Sequence, residues 1–255
     1  MAFHRQNFRI IGRLDVKGPD LIKGVHMEGL RVVGVPNELA KKYYQSGVDE
    51  LLYIDLVASL YGRSNLADIV SATIDDVFVP ITVAGGVRSV EDARRLLKAG
   101  ADKVAINTAA VERPDLLNEI AMEFGSQCLV LSVEAKKHNE SYEVFTDCGR
   151  ESTGIKLHEW VEEAIEKGVG EILLTSIDRD GTMKGVDEVL LSSIPEDLDV
   201  PIIYSGGFSG ASCLAKCKQA NVDGMAIGAS LHFDRLEVPD VKKFATDIDL
   251  PIREI

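Results

Sequence analysis

The chain has 255 residues, of which 45% are apolar, with a net charge of −13 at pH 7 and a pI near 4.9. That length supports one large buried core, and the acidity argues against a nucleic-acid or anionic-membrane surface, each of which calls for a basic patch. It leaves room for a local basic site that holds phosphates.

The apolar runs are strand-sized, so no membrane-spanning helix is expected. The N-terminal stretch MAFHRQNFRIIGRLDVKG lacks the apolar core of a signal peptide. Cys128, Cys148, Cys213 and Cys217 form no C-x-x-C pair. A reduced, cytoplasmic chain with incidental thiols is the expectation, with no metal site and no cofactor.

Strand-like runs alternate with helical patterns throughout. Phe8–Lys17 is the first strand, and Pro36–Gly47 a helix with Pro near its start and Gly at its end. Glu50–Val57 is strand two, followed by a helix over Asn65–Val77. Pro80–Gly86 is strand three. Ser89–Gly100 carries a Ser cap, early acids, late bases and a terminal Gly. Lys103–Asn107 is strand four, followed by a helix over Pro114–Gly125. Cys128–Lys137 is strand five, followed by a polar excursion, His138–Gly154, with a hairpin around Tyr142–Thr146.

Leu157–Gly168 is a helix. Strand six lies in Glu171–Thr182, EILLTSIDRDGT, whose apolar run Ile172-Leu173-Leu174 opens into Asp178-Arg179-Asp180-Gly181-Thr182. A short helix at Asp187–Ser193, strand seven at Pro201–Gly207, a helix at Ala211–Asn221, strand eight at Gly224–Ser230 and a helix near Val241–Asp247 complete the chain. Eight β/α units in one domain spanning residues 1–255 fit an α/β (β/α)8 TIM barrel. A doubly wound open sheet is the alternative.

An internal repeat favours the barrel. Pro80-Ile81 with Ala84-Gly85-Gly86 recurs, 121 residues on, as Pro201-Ile202 with Ser205-Gly206-Gly207. Ala101-Asp102 with Ala105-Ile106 recurs as Val222-Asp223 with Ala226-Ile227, and Asp49-Glu50-Leu51-Leu52 as Gly170-Glu171-Ile172-Leu173. Asp15 falls opposite Glu134 at nearly that spacing. Two duplicated half-barrels predict a two-fold site, with one carboxylate and one phosphate cradle from each half.

Three constellations carry chemistry. Gly85-Gly86 and Gly206-Gly207 follow strands three and seven, while Asn107-Thr108 and Gly228–Ser230 follow strands four and eight. Glycines let backbone approach a phosphate whose oxygens accept from main-chain amides. A tight βα turn explains each pair alone; the repeat favours two phosphate sites. Asp15, Glu134, Asp55, Asp178 and Asp180 lie at C-terminal strand ends. Asp15 and Glu134, related by the repeat, suit a general acid and base. For Asp55 and Asp178 a cap or an ion pair serves equally well. Arg9, Glu50, Lys103 and Glu171 each start a strand, at the opposite barrel face, where charges must neutralise one another. Either a stability plug or a gate for a small molecule would use that ring.

LDVK, the Gly-Gly turns with ADKVAINTAA, and EILLTSIDRDGT together resemble the cyclase subunit of imidazole glycerol phosphate synthase across nearly the whole chain. The resemblance implies a (β/α)8 barrel with two phosphate sites and a glutaminase subunit docked on the N-terminal face. Ammonia then crosses the barrel to a bisphosphorylated ribulosyl-aminoimidazole-carboxamide substrate, giving imidazole glycerol phosphate and an aminoimidazole carboxamide ribotide. It implies Asp15 as one catalytic aspartate and Arg9, Glu50, Lys103 and Glu171 as the ammonia gate. Gly86, Asn107 and Thr108 match one phosphate site, and Asp180, Gly181, Gly207, Ala229 and Ser230 the other. Lys23 matches a substrate-contacting lysine in a mobile first loop.

Two departures stand out. Glu134 replaces the family's second catalytic aspartate, and Gly18-Pro19-Asp20 replaces its acidic-Gly-basic turn, with Pro19 stiffening the loop. Such features resemble a subgroup associated with surface-polysaccharide genes, in which the barrel passes ammonia to amidation of a sugar. A non-catalytic conduit is a third reading.

Overall fold

The computed structural model describes residues 7–58, 66–139, 141–195 and 198–253. Twelve strands form one sheet, eight of them closed into a parallel barrel. In chain order these are β1 (Arg9–Lys17), β4 (Glu50–Asp55), β5 (Ile81–Ala84), β6 (Lys103–Ile106), β7 (Leu129–His138), β10 (Glu171–Ser176), β11 (Ile202–Ser205) and β12 (Gly224–Ile227). Pairing of β7 with β10 and of β12 with β1 closes the ring. The open doubly wound sheet is excluded.

Helices cover the outside: α1 (Pro36–Gln45), α2 (Leu66–Thr73), α3 (Val90–Lys98), α4 (Thr108–Glu112), α5 (Asp115–Phe124), α6 (Leu157–Glu166), α7 (Glu188–Ser192), α8 (Ala211–Gln219), α9 (Ala229–His232) and α10 (Val238–Asp247). The expected start of α2, Asn65, lies outside the described residues. The end of α3 fits its sequence signals. Ser89 caps it by accepting from the Asp92 amide at 3.1 Å, and Glu91 and Asp92 sit in the positive first turn.

Strands β4 and β10 are buried along their whole length, because one face meets the helices and the other fills the barrel. Period two along β1 sends Ile10, Leu14 and Val16 to the helix layer. Ile11 turns inward and joins Leu52, Ala105, Val130, Leu173, Ile203 and Ala226 in a separate apolar cluster inside the barrel. The barrel is therefore a packed core with an apolar waist.

The strand registers repeat as the sequence does. Leu51 pairs with Ile81, and Ile172 with Ile202. Thr82 pairs with Lys103, and Ile203 with Gly224. Asp15 stands beside Ile54, and Glu134 beside Thr175. Two side chains repeat as caps: Asp102 accepts from the Ile81 amide at 2.8 Å and Asp223 from the Ile202 amide at 2.9 Å.

The first loop, expected from the resemblance as a mobile segment, is built as a hairpin. Asp20–Val25 (β2) and Glu28–Gly34 (β3) form an antiparallel hairpin that prolongs β1, with Lys17 beside Asp20. A second hairpin continues β7 through Ser141–Thr146 (β8) and Glu151–Lys156 (β9). It contains the hairpin strand expected over Tyr142–Thr146. Both hairpins thus follow repeat-related strands.

Candidate functional site

The C-terminal barrel mouth collects charge that the apolar waist lacks. Asp15, at the end of β1, is 1% exposed. Its carboxylate accepts from Arg13 Nε at 2.7 Å and from Lys23 Nζ at 2.6 Å. Lys23, projected inward by the first hairpin, also donates to both Asp180 oxygens at 3.0 Å. Arg13 reaches Ser205 Oγ at 2.9 Å and approaches Asp180 at 3.5 Å. Two buried cations thus face two buried carboxylates. Burial alone would favour the neutral Asp15 carboxyl; the adjacent Arg13 and Lys23 charges overcome it and hold the group far below the usual range.

Glu134 lies in the same mouth on β7 and behaves oppositely. Its single hydrogen bond among the described residues comes from the Gly149 amide at 2.8 Å. Desolvation pushes its carboxyl up to about 7, against the smaller pull of that amide and of Arg13. One buried acid is therefore fixed as a carboxylate, and the other titrates near neutrality. A carboxylate held so low suits electrostatic stabilisation of developing positive charge, and an acid near neutrality suits proton transfer.

The two cradles flank these acids. The first is a cavity of about 200 Å3 lined by Gly85, Gly86, Asn107, Thr108 and Glu134 among others. The second hairpin braces it: the Asp147 amide donates to Thr108 Oγ1 at 3.1 Å, and Asn107 Nδ2 to the Phe145 carbonyl at 3.1 Å. Cys148 lines this cavity, its thiol donating to the Leu56 carbonyl at 2.8 Å and pushed well up by burial.

The second cradle gathers Asp180, Gly181, Gly207, Ala229 and Ser230 around only about 20 Å3. The first hairpin fills the rest. The His26 amide donates to the Asp180 carbonyl at 2.9 Å, and a Cβ on Gly181 would stand 2.0 Å from the Gly24 carbonyl oxygen. Beneath α9, His232 bonds the Tyr43 hydroxyl at 2.6 Å; burial lowers its pKa to about 4, leaving it neutral.

Arg9, Glu50, Lys103 and Glu171 meet at the opposite end in a closed ring. Arg9 bridges Glu50 at 2.8 Å and Glu171 at 2.7 Å, while Lys103 bridges Glu171 at 2.5 Å and Glu50 at 3.5 Å. Each cation touches both anions.

The predicted residues thus fall into three places: the floor ring, the first cradle with Glu134, and the second cradle with Asp15 and Lys23. Lys23, expected in a mobile loop, is 4% exposed and locked between two aspartates. Asp178 instead accepts from the Lys137 amide at 2.8 Å, a structural role. Arg13 escaped the sequence reading. Its signal was a charged residue at an inward position of β1, two before Asp15, where period two demands a core side chain.

A family model described as "Histidine biosynthesis protein" matches residues 9–237. The chain is 59% identical over 202 residues to the imidazole glycerol phosphate synthase subunit HisF of Legionella pneumophila, covering 79% of this chain and 95% of that one. It is 44% identical over 246 residues to the HisF subunit of Dictyoglomus thermophilum, covering 96% and 98%. With the Mycobacteroides abscessus HisF subunit it shares 46% identity over 241 residues, covering 92% and 94%. The match thus extends over the barrel, both cradles and both ends of the axis, and the chain belongs to the histidine-biosynthesis protein family, among the HisF-type enzyme subunits of imidazole glycerol phosphate synthase.

Proposed function

We propose that this chain is the cyclase subunit that uses ammonia to turn a bisphosphorylated ribulosyl-aminoimidazole-carboxamide into imidazole glycerol phosphate and aminoimidazole carboxamide ribotide. The observation that carries the reading is the pair Asp15 and Glu134, two buried carboxyls shifted in opposite directions in one mouth between two glycine cradles. The cradles hold the two phosphates and stretch the substrate across the mouth. Asp15, a fixed carboxylate, stabilises the positive charge that develops as ammonia condenses with the substrate carbonyl, and the proton released goes to Glu134 in its ionised form. Glu134, with its pKa near neutrality, returns a proton to the leaving group.

Ammonia comes from a glutaminase subunit docked on the N-terminal face, through the ring of Arg9, Glu50, Lys103 and Glu171. The apolar waist favours neutral ammonia over ammonium, since an ion there has no partner. On this reading the chain works in the cytoplasm as one domain and needs no cofactor. Among the described residues no helix is long and apolar enough to cross a membrane.

A second reading has its own support. Glu134 carries one more methylene than the family's aspartate, and Lys23 fills the second cradle. A scaffold retuned to pass ammonia to amidation of a sugar in surface-polysaccharide synthesis would tolerate both. The test is turnover of the bisphosphorylated substrate by the purified chain with excess ammonium at near-neutral pH, beside Asp15→Asn and Glu134→Asp. Wild-type turnover that Asp15→Asn abolishes supports the cyclase. An inactive wild type with activity gained in Glu134→Asp supports the second reading.

A further inference from the structure

Arg13 is a buried charged side chain of the mouth to which the proposed function gives no role. It is 1% exposed and lines the second cradle with Lys23, Ser205, Gly207 and Ser230. Its Nε and one terminal nitrogen are anchored by Asp15 and Ser205. Its other terminal nitrogen is buried with no hydrogen-bond partner among the described residues. A buried charged donor left without an acceptor is costly, so such an atom calls for a ligand.

We propose that Arg13 is a substrate-binding residue, and that its unpartnered nitrogen takes an oxygen of the phosphate monoester seated in the second cradle. The proposal rests on the reading of the mouth as a site for a phosphorylated substrate, and it assigns to that site a cation the reading lacked. At about 20 Å3 the cradle has no room for a phosphate while the Lys23 ammonium stands between Asp15 and Asp180. Lys23 is carried by a hairpin, and its departure admits the ligand. Arg13 is carried by a barrel strand paired on both sides, to β12 and β4. It therefore stays, already oriented by two anchors, and meets the incoming oxygen with a donor that requires no rearrangement. Ser205, holding the guanidinium from β11, is the positioning residue for this contact.

The experiment uses the intact chain with glycerol 3-phosphate as the probe, followed by calorimetry and by 15N signals of labelled arginine side chains, with Arg13→Met and Arg13→Lys as variants. Thermal unfolding checks that each variant folds. The expected result is that the Arg13 Nε–H signal shifts on saturation, and that the Kd rises about tenfold or more in both variants. In turnover assays the KM for the bisphosphorylated substrate rises by a similar factor in Arg13→Lys, while the KM for ammonium is unchanged. Unchanged affinity in both variants, an unmoved Arg13 signal at saturation, or no binding of the probe to the wild type overturns the proposal. Failure of the cyclase reading is seen separately, as a wild type that binds the probe through Arg13 yet turns nothing over.

Discussion

Asp15 and Glu134 occupy repeat-related places on β1 and β7, yet their surroundings shift the two carboxyls in opposite directions. Asp15 has two cations at 2.6–2.7 Å. Glu134 has one backbone amide at 2.8 Å. Duplication supplied two acids at equivalent positions, and the direct hydrogen bonds of Arg13 and Lys23 to Asp15, which Glu134 lacks, made them chemically different.

Glu134 gives a pH signature. Its carboxyl is raised from 4.5 to about 7, so between those values the native state holds a proton that the unfolded chain has released. Below about 4.5 the group is neutral in both states and costs nothing. Above about 7 its burial as an ion costs in full, ~3 kcal/mol by linkage. Chemical denaturation of the wild type and of Glu134→Gln across pH 4–8 is expected to show the variant gaining relative stability through that window. At a fixed concentration of free ammonia, kcat/KM of the wild type is expected to fall above pH ~7, a limb that Glu134→Gln lacks.

Asp15 has the reverse sign. Its pKa is lowered from 3.8, so it stabilises the fold above that value and loses the contribution only as strong acid protonates it. Asp15→Asn leaves Arg13 and Lys23 short of a buried counter-charge. Loss of ~3 kcal/mol in denaturant unfolding at pH 7 is expected, together with loss of cyclase turnover.

The floor ring is a coupled unit. Lys103→Met leaves Glu50 and Glu171 sharing Arg9 alone, and costs ~1–2 kcal/mol, less than a deep pair because Lys103 is 18% exposed. A double-mutant cycle with Glu171→Gln is expected to give a coupling of ~1 kcal/mol. A cycle that sums to zero would show that the Lys103–Glu171 bridge does not form in solution.

Gly207 is irreplaceable for a local reason. It sits at φ +76, and a Cβ there would stand 2.1 Å from the Gly185 carbonyl oxygen. Gly207→Ala is expected to lower the unfolding midpoint and to weaken binding of glycerol 3-phosphate at least tenfold, as the Gly185 segment shifts off the cradle. Retained affinity would mean that Gly207 does not shape the cradle.

The sequence by itself determined the barrel and its duplication, and it named most of the residues that the fold gathers at the mouth and at the floor. Period-two and fully apolar runs mark strands wherever one set of side chains must be buried, and the Gly-Gly turns at fixed offset mark where backbone must come close to a ligand. What only the tertiary structure decided is how charges far apart in the chain were paired. Lys23 lies near Asp15 in sequence, yet its second partner is Asp180; Arg13 is held by Ser205 from the far side of the sequence. The closing of both hairpins over the cradles, and the ionisation of Asp15 and Glu134, follow from those pairings. A pKa depends on the distance to each neighbouring charge and on the water excluded between them, and neither quantity exists until the barrel closes.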